Sequence, residues 1–175
     1  MSSGKLKLDL VCQVAFVVRD LDEAVKNMQT LVDGGEVDND CEASAEIAAG
    51  HLSPQIYNGV EGIYAYHQKN LSWGGMDIEI FQPINDQRPN PMNDFLDTHG
   101  PGIHHINVRL ANRQEGLDFL RNELGIVPLM ECVNNGRHCV YMDMRETLGL
   151  IIEIGSRVVG PRAKMSEEEL NTFLK

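Results

Sequence analysis

The stretch His99-Gly-Pro-Gly-Ile-His-His-Ile-Asn-Val108 organises the interpretation of the whole chain, because it joins a turn to the start of a strand. The Gly-Pro-Gly triplet at 100–102 ends whatever element precedes it. Beyond the triplet, apolar side chains alternate with His105, Asn107 and Arg109, which is the period of a strand with one apolar and one polar face. Burying such a polar face costs free energy unless something binds there. The stretch therefore predicts a strand that carries a binding surface.

Size and composition exclude several classes of protein. The 175 residues fit a single domain over 1–175, or two small halves that share a core, and 42% of them are hydrophobic, which is too many for a disordered chain. The net charge of -11 argues against nucleic acid and anionic membrane surfaces as partners. The four cysteines form no CxxC motif, and no segment resembles a signal peptide or a membrane span. We therefore expect a cytoplasmic protein with reduced cysteines.

The N-terminal half repeats the sequence pattern of the central stretch. Val11–Val18 has strand periodicity, and an amphipathic helix follows it. Superimposing the two halves with an offset of 92 residues matches Gln13 with His105, Asp20 with Asn112, and Glu23 with Glu115. The last two pairs are a helix N-cap and the acidic residue three positions later. Because caps match as well as hydrophobic positions, an internal repeat is the better interpretation.

Each half closes on a similar strand, Met76–Phe81 or Leu150–Gly155, with a glutamate inside an apolar run. Further strands are predicted at Tyr64–Gln68, Val127–Val133 and Arg137–Met144, and helices at 40–50, 91–99 and 165–175. Glu79 follows Gln13 by 66 residues, whereas Glu153 follows His105 by 48, so the first half carries 18 additional residues within 34–62. We expect this excess to be a surface insertion that shapes the rim of a pocket and contributes little to stability.

Two repeated units related by a pseudo-twofold would bring equivalent positions together. These positions hold Gln13, Glu79, His105 and Glu153. One amide oxygen, one imidazole and two carboxylates suit a divalent ion such as Zn, Co, Ni or Mn. Each residue alone is more often a solvated or hydrogen-bonded structural residue, but their symmetric placement favours a metal site. His104 should face the opposite side of its strand, so it is the weaker ligand candidate.

The residues also resemble a known family, the vicinal oxygen chelate superfamily, or glyoxalase/bleomycin-resistance group. The most specific segments are Ile78–Pro83 and Asn93–Ile106, and together they look like the methylmalonyl-CoA epimerase branch. The resemblance covers about residues 11–155. It implies an α+β fold in which two tandem βαβββ modules, at 11–83 and 102–155, form a cup-shaped mixed sheet. The helix at 91–99 would link the modules, and the helix at 165–175 would follow them.

The resemblance also assigns roles to individual residues. His105 and Glu153 match ligands of the epimerase branch, and Glu79 matches its mid-chain ligand. That branch opens with His where this chain has Gln13, and the set Gln, Glu, His, Glu is similar to that of eukaryotic-type glyoxalase I. The first catalytic glutamate of the branch falls nearest to Glu61, about one position out of register. Catalytic roles are therefore expected for Glu153, Glu79 or Glu61.

Three functions are consistent with these residues. The first is a metal-dependent epimerase or isomerase that removes a proton next to a carbonyl of an acyl-CoA or similar small substrate, with Asn107 and Arg109 orienting it. The second is a glyoxalase I-type lactoylglutathione lyase, which isomerises a hemithioacetal. The third is a non-catalytic protein of the same fold that binds a small molecule in the cup. We expect a homodimer in each case.

Overall fold

A computed structural model describes residues 5–32, 37–38, 55–62, 64, 66–84, 86, 88–134 and 137–155. The helices predicted at 40–50 and 165–175 lie outside the described residues. No helix within the described ranges is long and apolar enough to cross a membrane.

The described chain contains ten strands and four α-helices. The strands are β1 Leu8–Val17, β2 Val37–Asp38, β3 Gln55–Tyr57, β4 Val60–Gly62, β5 Tyr66–Trp73, β6 Met76–Pro83, β7 Gly102–Leu110, β8 Pro128–Asn134, β9 Arg137–Met144 and β10 Leu150–Gly155. The helices are α1 Leu21–Leu31, α2 Pro91–His99, α3 Arg113–Asp118 and α4 Arg145–Leu148, and a π-helical turn at Phe119–Glu123 extends α3.

All ten strands form one curved, unclosed mixed sheet in the order β2-β5-β6-β1-β7-β10-β9-β8-β3-β4. Without the β3–β4 hairpin, the order is symmetric about the antiparallel pair β1 and β7. In that pair, Ala15 lies opposite His105 and Gln13 lies opposite Asn107. A twofold axis that superimposes residues 92 positions apart places Gln13 on His105 and Ala15 on Asn107. It therefore exchanges these two pairs. The register thus confirms the predicted repeat and its offset, and the fold is the predicted cup-shaped α+β arrangement of two βαβββ modules.

One helix packs on the convex face of each module. Asp20 caps α1 by accepting a hydrogen bond from the backbone N–H of Glu23, and Asn112 caps α3 by accepting one from Glu115. Below α1 lies a core that includes Val25 and residues of β5 and β6. The larger core below α3 comprises Val108, Leu110, Leu117, Leu120, Val140, Met142, Met144, Ile152 and Ile154. Because the apolar side chains of each strand pack against these helices, the alternate side chains face the cup.

The linker helix α2 fills one end of the cup. Its Met92 and Leu96 pack against Ala15, Tyr66 and Phe81 on the concave side of the sheet. Apolar residues therefore close this end, and the buried polar residues of β1, β5, β6, β7 and β10 gather in the remainder of the cup.

The insertion in the first half differs from the surface loop that the sequence predicted. Its hairpin β3–β4 leaves the first module and pairs with β8 at the edge of the second. The turn uses Asn58 and Gly59 with φ of 50° and 76°, as a tight hairpin requires. Tyr57 is 6% exposed and packs with Tyr64 and Met130. This part of the insertion therefore belongs to the core, because the edge of β8 gives it both backbone partners and an apolar surface.

The predicted third strand of the first half is also longer than expected. It runs from Tyr66 to Trp73 rather than over Tyr64–Gln68, and a turn with Gly74 and Gly75 at positive φ follows it. Its polar residues Gln68 and Asn70, which obscured the apolar alternation, join the buried polar network of the cup. Lys69, between them, lies on the other face and pairs with Asp22 on α1.

Candidate metal centre

Three of the four predicted ligands meet in the cup. One ligand atom from each of Glu79, His105 and Glu153 lies within 4.8 Å of the others. The Nε2 atom of His105 is 3.1 Å from Oε2 of Glu153 and 3.9 Å from Oε2 of Glu79. Ligand atoms of one ion lie within about twice the metal–ligand distance of each other, roughly 4 Å. The spacing therefore suits a single divalent ion.

The environment of His105 fits such an ion as well. Its side chain is fully buried, and Nε2 makes no hydrogen bond despite the nearby carboxylate oxygens. A buried polar atom without a hydrogen bond is costly unless another ligand occupies it. Its Nδ1 lies 2.9 Å from Nδ1 of His104, so one ring must donate and the other accept.

His104 is suited to accept that hydrogen bond. Burial, followed by the nearby His105, lowers the pKa of His104 well below the usual histidine value, so the ring is neutral near pH 7. If His105 donates from Nδ1, its Nε2 carries a lone pair toward the carboxylates, as metal-binding histidines commonly do. His104 thus contacts His105 through its ring nitrogen and is not one of the three grouped residues.

Glu79 is held by a neighbouring strand. Gln68 on β5 donates a short hydrogen bond from Nε2 to Oε1 of Glu79. The other oxygen of Glu79, Oε2, is the one nearest to His105. Gln68 therefore occupies one carboxylate oxygen and leaves the other at the cluster.

Gln13, the fourth predicted ligand, lies on the same face of the sheet and is 6% exposed. Its Nε2 donates a 2.7 Å hydrogen bond to Oδ2 of Asp77. Asp77 also accepts from Nδ2 of Asn70, at 3.2 Å. The structure thus shows Gln13 in a buried network beside the cluster, and its service as a ligand stays a prediction.

Glu153 is enclosed by β9. Its side chain is buried, and it lies directly opposite Tyr141 in the β9–β10 register. The thiol of Cys139 is hydrogen-bonded to both Cys132 and Glu153. The bond with Cys132, burial and the Glu153 charge raise the pKa of Cys139 well above its usual value, so this thiol stays protonated.

Two phenols also stand in the cup and remain neutral. Burial raises the pKa of Tyr141 well above its ordinary value, and the negative charge of Glu153 adds to the effect. Burial likewise raises the pKa of Tyr66. The Tyr141 ring meets the His105 ring edge-on at 5.0 Å, and Tyr66 packs edge-on against Phe81. The cup therefore combines an apolar wall with acidic and imidazole groups.

The remaining predicted site residues are separated. Asn107 is buried in the cup, and its Oδ1 has no hydrogen-bond partner, although it lies opposite both Gln13 and Glu153 in the sheet. Arg109 is partly exposed and forms an ion pair with Asp9 on β1. Glu61 is exposed on β4, opposite Ile56, and is outside the cluster of acidic and imidazole groups.

Sequence reasoning missed Asp77, Gln68, Asn70 and Cys139. Asp77 had a usable signal, because it stands two positions before Glu79 and must share its face of the strand. Gln68 and Asn70 alternate in the same way, but only the pairing of β5 with β6 identifies their face as the cup side. Nothing local distinguishes Cys139 from an ordinary buried cysteine.

Fold and site together define a class of protein. Residues 12–140 match the family described as the Glyoxalase/Bleomycin resistance protein/Dioxygenase superfamily, and the chain belongs to it. A curated relative, the D-aminoacyl-tRNA deacylase of Dehalococcoides mccartyi, is 25% identical over 119 residues, which is 65% of this chain and 77% of that protein.

Solved structures agree on the fold. A methylmalonyl-CoA epimerase variant from Streptomyces coelicolor in complex with 2-nitronate-propionyl-CoA superimposes with a TM-score of 0.57 and 16% identity, covering 86% of this chain and 97% of that chain. Methylmalonyl-CoA epimerase from Mycobacterium tuberculosis gives a TM-score of 0.58 and 18% identity, with coverages of 89% and 91%. At these identities the likeness establishes the architecture alone.

Proposed function

We propose that the protein is a metal-dependent epimerase or isomerase that removes a proton next to the carbonyl of an acyl-CoA or similar small substrate. The observation that carries the proposal is the meeting of Glu79, His105 and Glu153 around a buried Nε2 that makes no hydrogen bond. Glu79, His105 and Glu153, with Gln13, would hold one divalent ion such as Zn, Co, Ni or Mn. When bound, such an ion polarises a carbonyl oxygen and stabilises the negative charge that develops on deprotonation.

Glu153 is the residue proposed to move the proton. It is 5% exposed and its neighbours in the cup include the neutral groups Cys139 and Tyr141. A general base must lie within hydrogen-bond reach of the proton that it removes, and Oε2 of Glu153 lies beside Nε2 of His105, where a substrate bound at the cluster would meet it. Glu79 is the second candidate, but its Oε1 is already occupied by Gln68.

The remaining cup residues would bind and orient the substrate. The orphaned Oδ1 of Asn107 can accept a hydrogen bond from a substrate N–H or O–H, since it lies beside the cluster. The ion pair of Arg109 with Asp9 places that guanidinium at the outer part of β7, where it could contact a charged group only by exchanging partners.

The acyl-CoA substrate class is supported by the fold neighbours. Two of them are methylmalonyl-CoA epimerases, and one was captured with 2-nitronate-propionyl-CoA. The identities are below 20%, so the support for proton removal comes from the residues of this cup. Two carboxylates and an imidazole around a position for a substrate carbonyl suit proton removal from the adjacent carbon.

A glyoxalase I-type lyase is the second candidate. The observation that favours it is the amide at Gln13, which gives the ligand set Gln, Glu, His, Glu. The same proton abstraction would then act on a hemithioacetal. By contrast, hydrolysis of an aminoacyl-tRNA ester, as the name of the curated relative suggests, would require this chain of net charge -11 to approach a polyanion.

Incubation in deuterated water separates these functions. Metal-loaded protein is incubated with acyl-CoAs, with hemithioacetals and with an acyl-CoA that lacks hydrogen on the carbon next to the carbonyl. Mass spectrometry should show one deuterium gained by a 2-substituted acyl-CoA and none by the control thioester. Conversion of a hemithioacetal to a thioester would establish the lyase instead. A protein that exchanges none of these substrates and binds one of them unchanged would be a binding protein.

A further inference from the structure

We propose that Asp77 is a positioning residue that turns the amide oxygen of Gln13 toward the metal cluster. The proposal rests on the proposed metal site and deepens it, since it identifies what makes a neutral amide usable as a ligand. The orientation comes from a buried hydrogen-bonded chain across three strands: Gln13 on β1, Asp77 on β6, Asn70 and Gln68 on β5, and Glu79 on β6.

The polarity of this chain is fixed by its carboxylates. An ionised carboxylate only accepts hydrogen bonds, whereas an amide has one donating and one accepting end. Oδ2 of Asp77 lies 2.7 Å from the Gln13 side chain, so the donor Nε2 must be the atom that faces it. The oxygen of the same planar amide then points away from Asp77. Without this constraint either end of the amide could face the cluster.

The fixed hydrogen-bond polarity extends along β5. Asp77 accepts from Nδ2 of Asn70, which leaves Oδ1 of Asn70 to accept from Nε2 of Gln68 at 2.8 Å. Gln68 uses the same NH₂ group to donate to Glu79. Two of the predicted ligands, Gln13 and Glu79, are therefore the two ends of one chain with a single allowed polarity.

Burial makes the chain rigid. Gln13, Gln68, Asn70 and Asp77 are each 8% exposed or less. A reversed amide would place two donors, or two acceptors, against each other where water cannot separate them. Partners of metal ligands commonly alter metal affinity or activity by about 10–100-fold when they are removed.

Asp77→Asn tests the proposal, because it replaces two carboxylate oxygens, which both accept hydrogen bonds, by one accepting oxygen and one donating NH₂ group. Either Gln13 or Asn70 must then reverse. If Gln13 reverses, its NH₂ group faces the cluster. If Asn70 reverses, Gln68 must turn its oxygen toward Glu79. In both cases one predicted ligand loses the hydrogen bond that orients it.

The expected result is measured by calorimetric titration of metal-free protein with Zn²⁺, Co²⁺, Ni²⁺ and Mn²⁺. Asp77→Asn should weaken binding about 10–100-fold. In a Gln13→Glu background the same change should not weaken binding, because the amide of Asn at position 77 can donate to Glu at position 13 and accept from Asn70. Asp22→Asn on α1, which removes an exposed charge paired with Lys69 of β5, is the matched charge control and should leave the affinity unchanged.

The outcomes distinguish the two proposals. If the wild-type protein binds none of the four metals, the proposed function fails and takes this inference with it. If the wild type binds metal and Asp77→Asn binds it equally well, only the positioning role is overturned. The positioning role is also overturned if Asp77→Asn weakens metal binding by the same factor with Gln and with Glu at position 13. Melting temperatures of the metal-free variants identify any loss of metal affinity that comes from unfolding. If Asp77→Asn alone is unstable, the Gln13→Glu, Asp77→Asn double variant supplies the test.

Discussion

The carboxylate of Glu153 lies among an imidazole, a thiol and a phenol, with 5% of the residue exposed. The thiol and the phenol stay neutral, so their contribution to the site is hydrogen bonding and exclusion of water rather than charge. These surroundings leave the carboxylate of Glu153 with little access to water. Glu61 is in the opposite situation, since its side chain is exposed on the hairpin.

The contrast between these two glutamates yields a prediction about proton transfer. Glu153→Gln should keep the fold and much of the metal binding, because an amide oxygen can still be a ligand, yet it should abolish deuterium exchange into the substrate. Glu61→Gln should retain measurable exchange. Exchange is followed by mass spectrometry with each variant at matched metal content. Loss of exchange in Glu61→Gln with retention in Glu153→Gln would reverse the assignment of the base.

At the scale of elements, the β3–β4 hairpin has the largest unexpected role. It belongs to the first half of the chain but extends the sheet of the second. Tyr57 is buried against Met130 and Tyr64, whereas the neighbouring Ile56 is 43% exposed. The hydroxyl of Tyr57 also donates to the carboxylate of Asp94 on α2, so the hairpin touches the linker helix.

Burial of Tyr57 predicts that the hairpin is needed for stability. Tyr57→Ala should lower the free energy of unfolding by about 3 kcal/mol or more, as expected for removal of a buried aromatic side chain. Ile56→Ala, on the exposed side of the same strand, is the matched control and should cost about 1 kcal/mol or less. Chemical denaturation measures both. Equal effects would mean that the hairpin is a surface loop, as the sequence first indicated.

Tyr57 also predicts a pH dependence of stability. Burial, reinforced by the hydrogen bond with Asp94, raises its pKa from 10 to about 12. The folded state therefore holds this proton at pH values where the unfolded chain has lost it. The stabilisation is fully present below pH 10 and is lost as the pH rises to about 12. Tyr57→Phe should show a shallower loss of stability in this range when thermal unfolding is followed at each pH. An unchanged slope would exclude this origin.

At the scale of the molecule, the two modules share the central β1–β7 pair and cannot separate without exposing it. Ile154 is fully buried in the core of the second module. Ile154→Ala should cost about 2–5 kcal/mol. Because the modules are joined through the sheet, we expect unfolding to remain a single transition in which calorimetric and van't Hoff enthalpies agree. Two resolved transitions would show that the modules unfold independently.

The overall architecture was accessible from the sequence because its signals are local. Strand alternation and the caps at Asp20 and Asn112 recur in step, and the twofold register reproduces their offset of 92 residues. Each half also closes on a strand with a glutamate inside an apolar run. Strand pairing between distant segments has no local signal, so neither the docking of the hairpin on β8 nor the network through Asn70 could be predicted. For the same reason the sequence indicated three residues of the cluster but not the partners that orient them.

Metal titration of the wild-type protein and His105→Ala tests the central claim most directly. The wild type should bind close to one equivalent of a divalent ion and gain thermal stability from it. His105→Ala should lose that binding while the metal-free protein keeps its fold, as judged by circular dichroism. Failure of the wild type to bind any of Zn²⁺, Co²⁺, Ni²⁺ or Mn²⁺, or equal binding by His105→Ala, would contradict the assignment of Glu79, His105 and Glu153 to a metal centre.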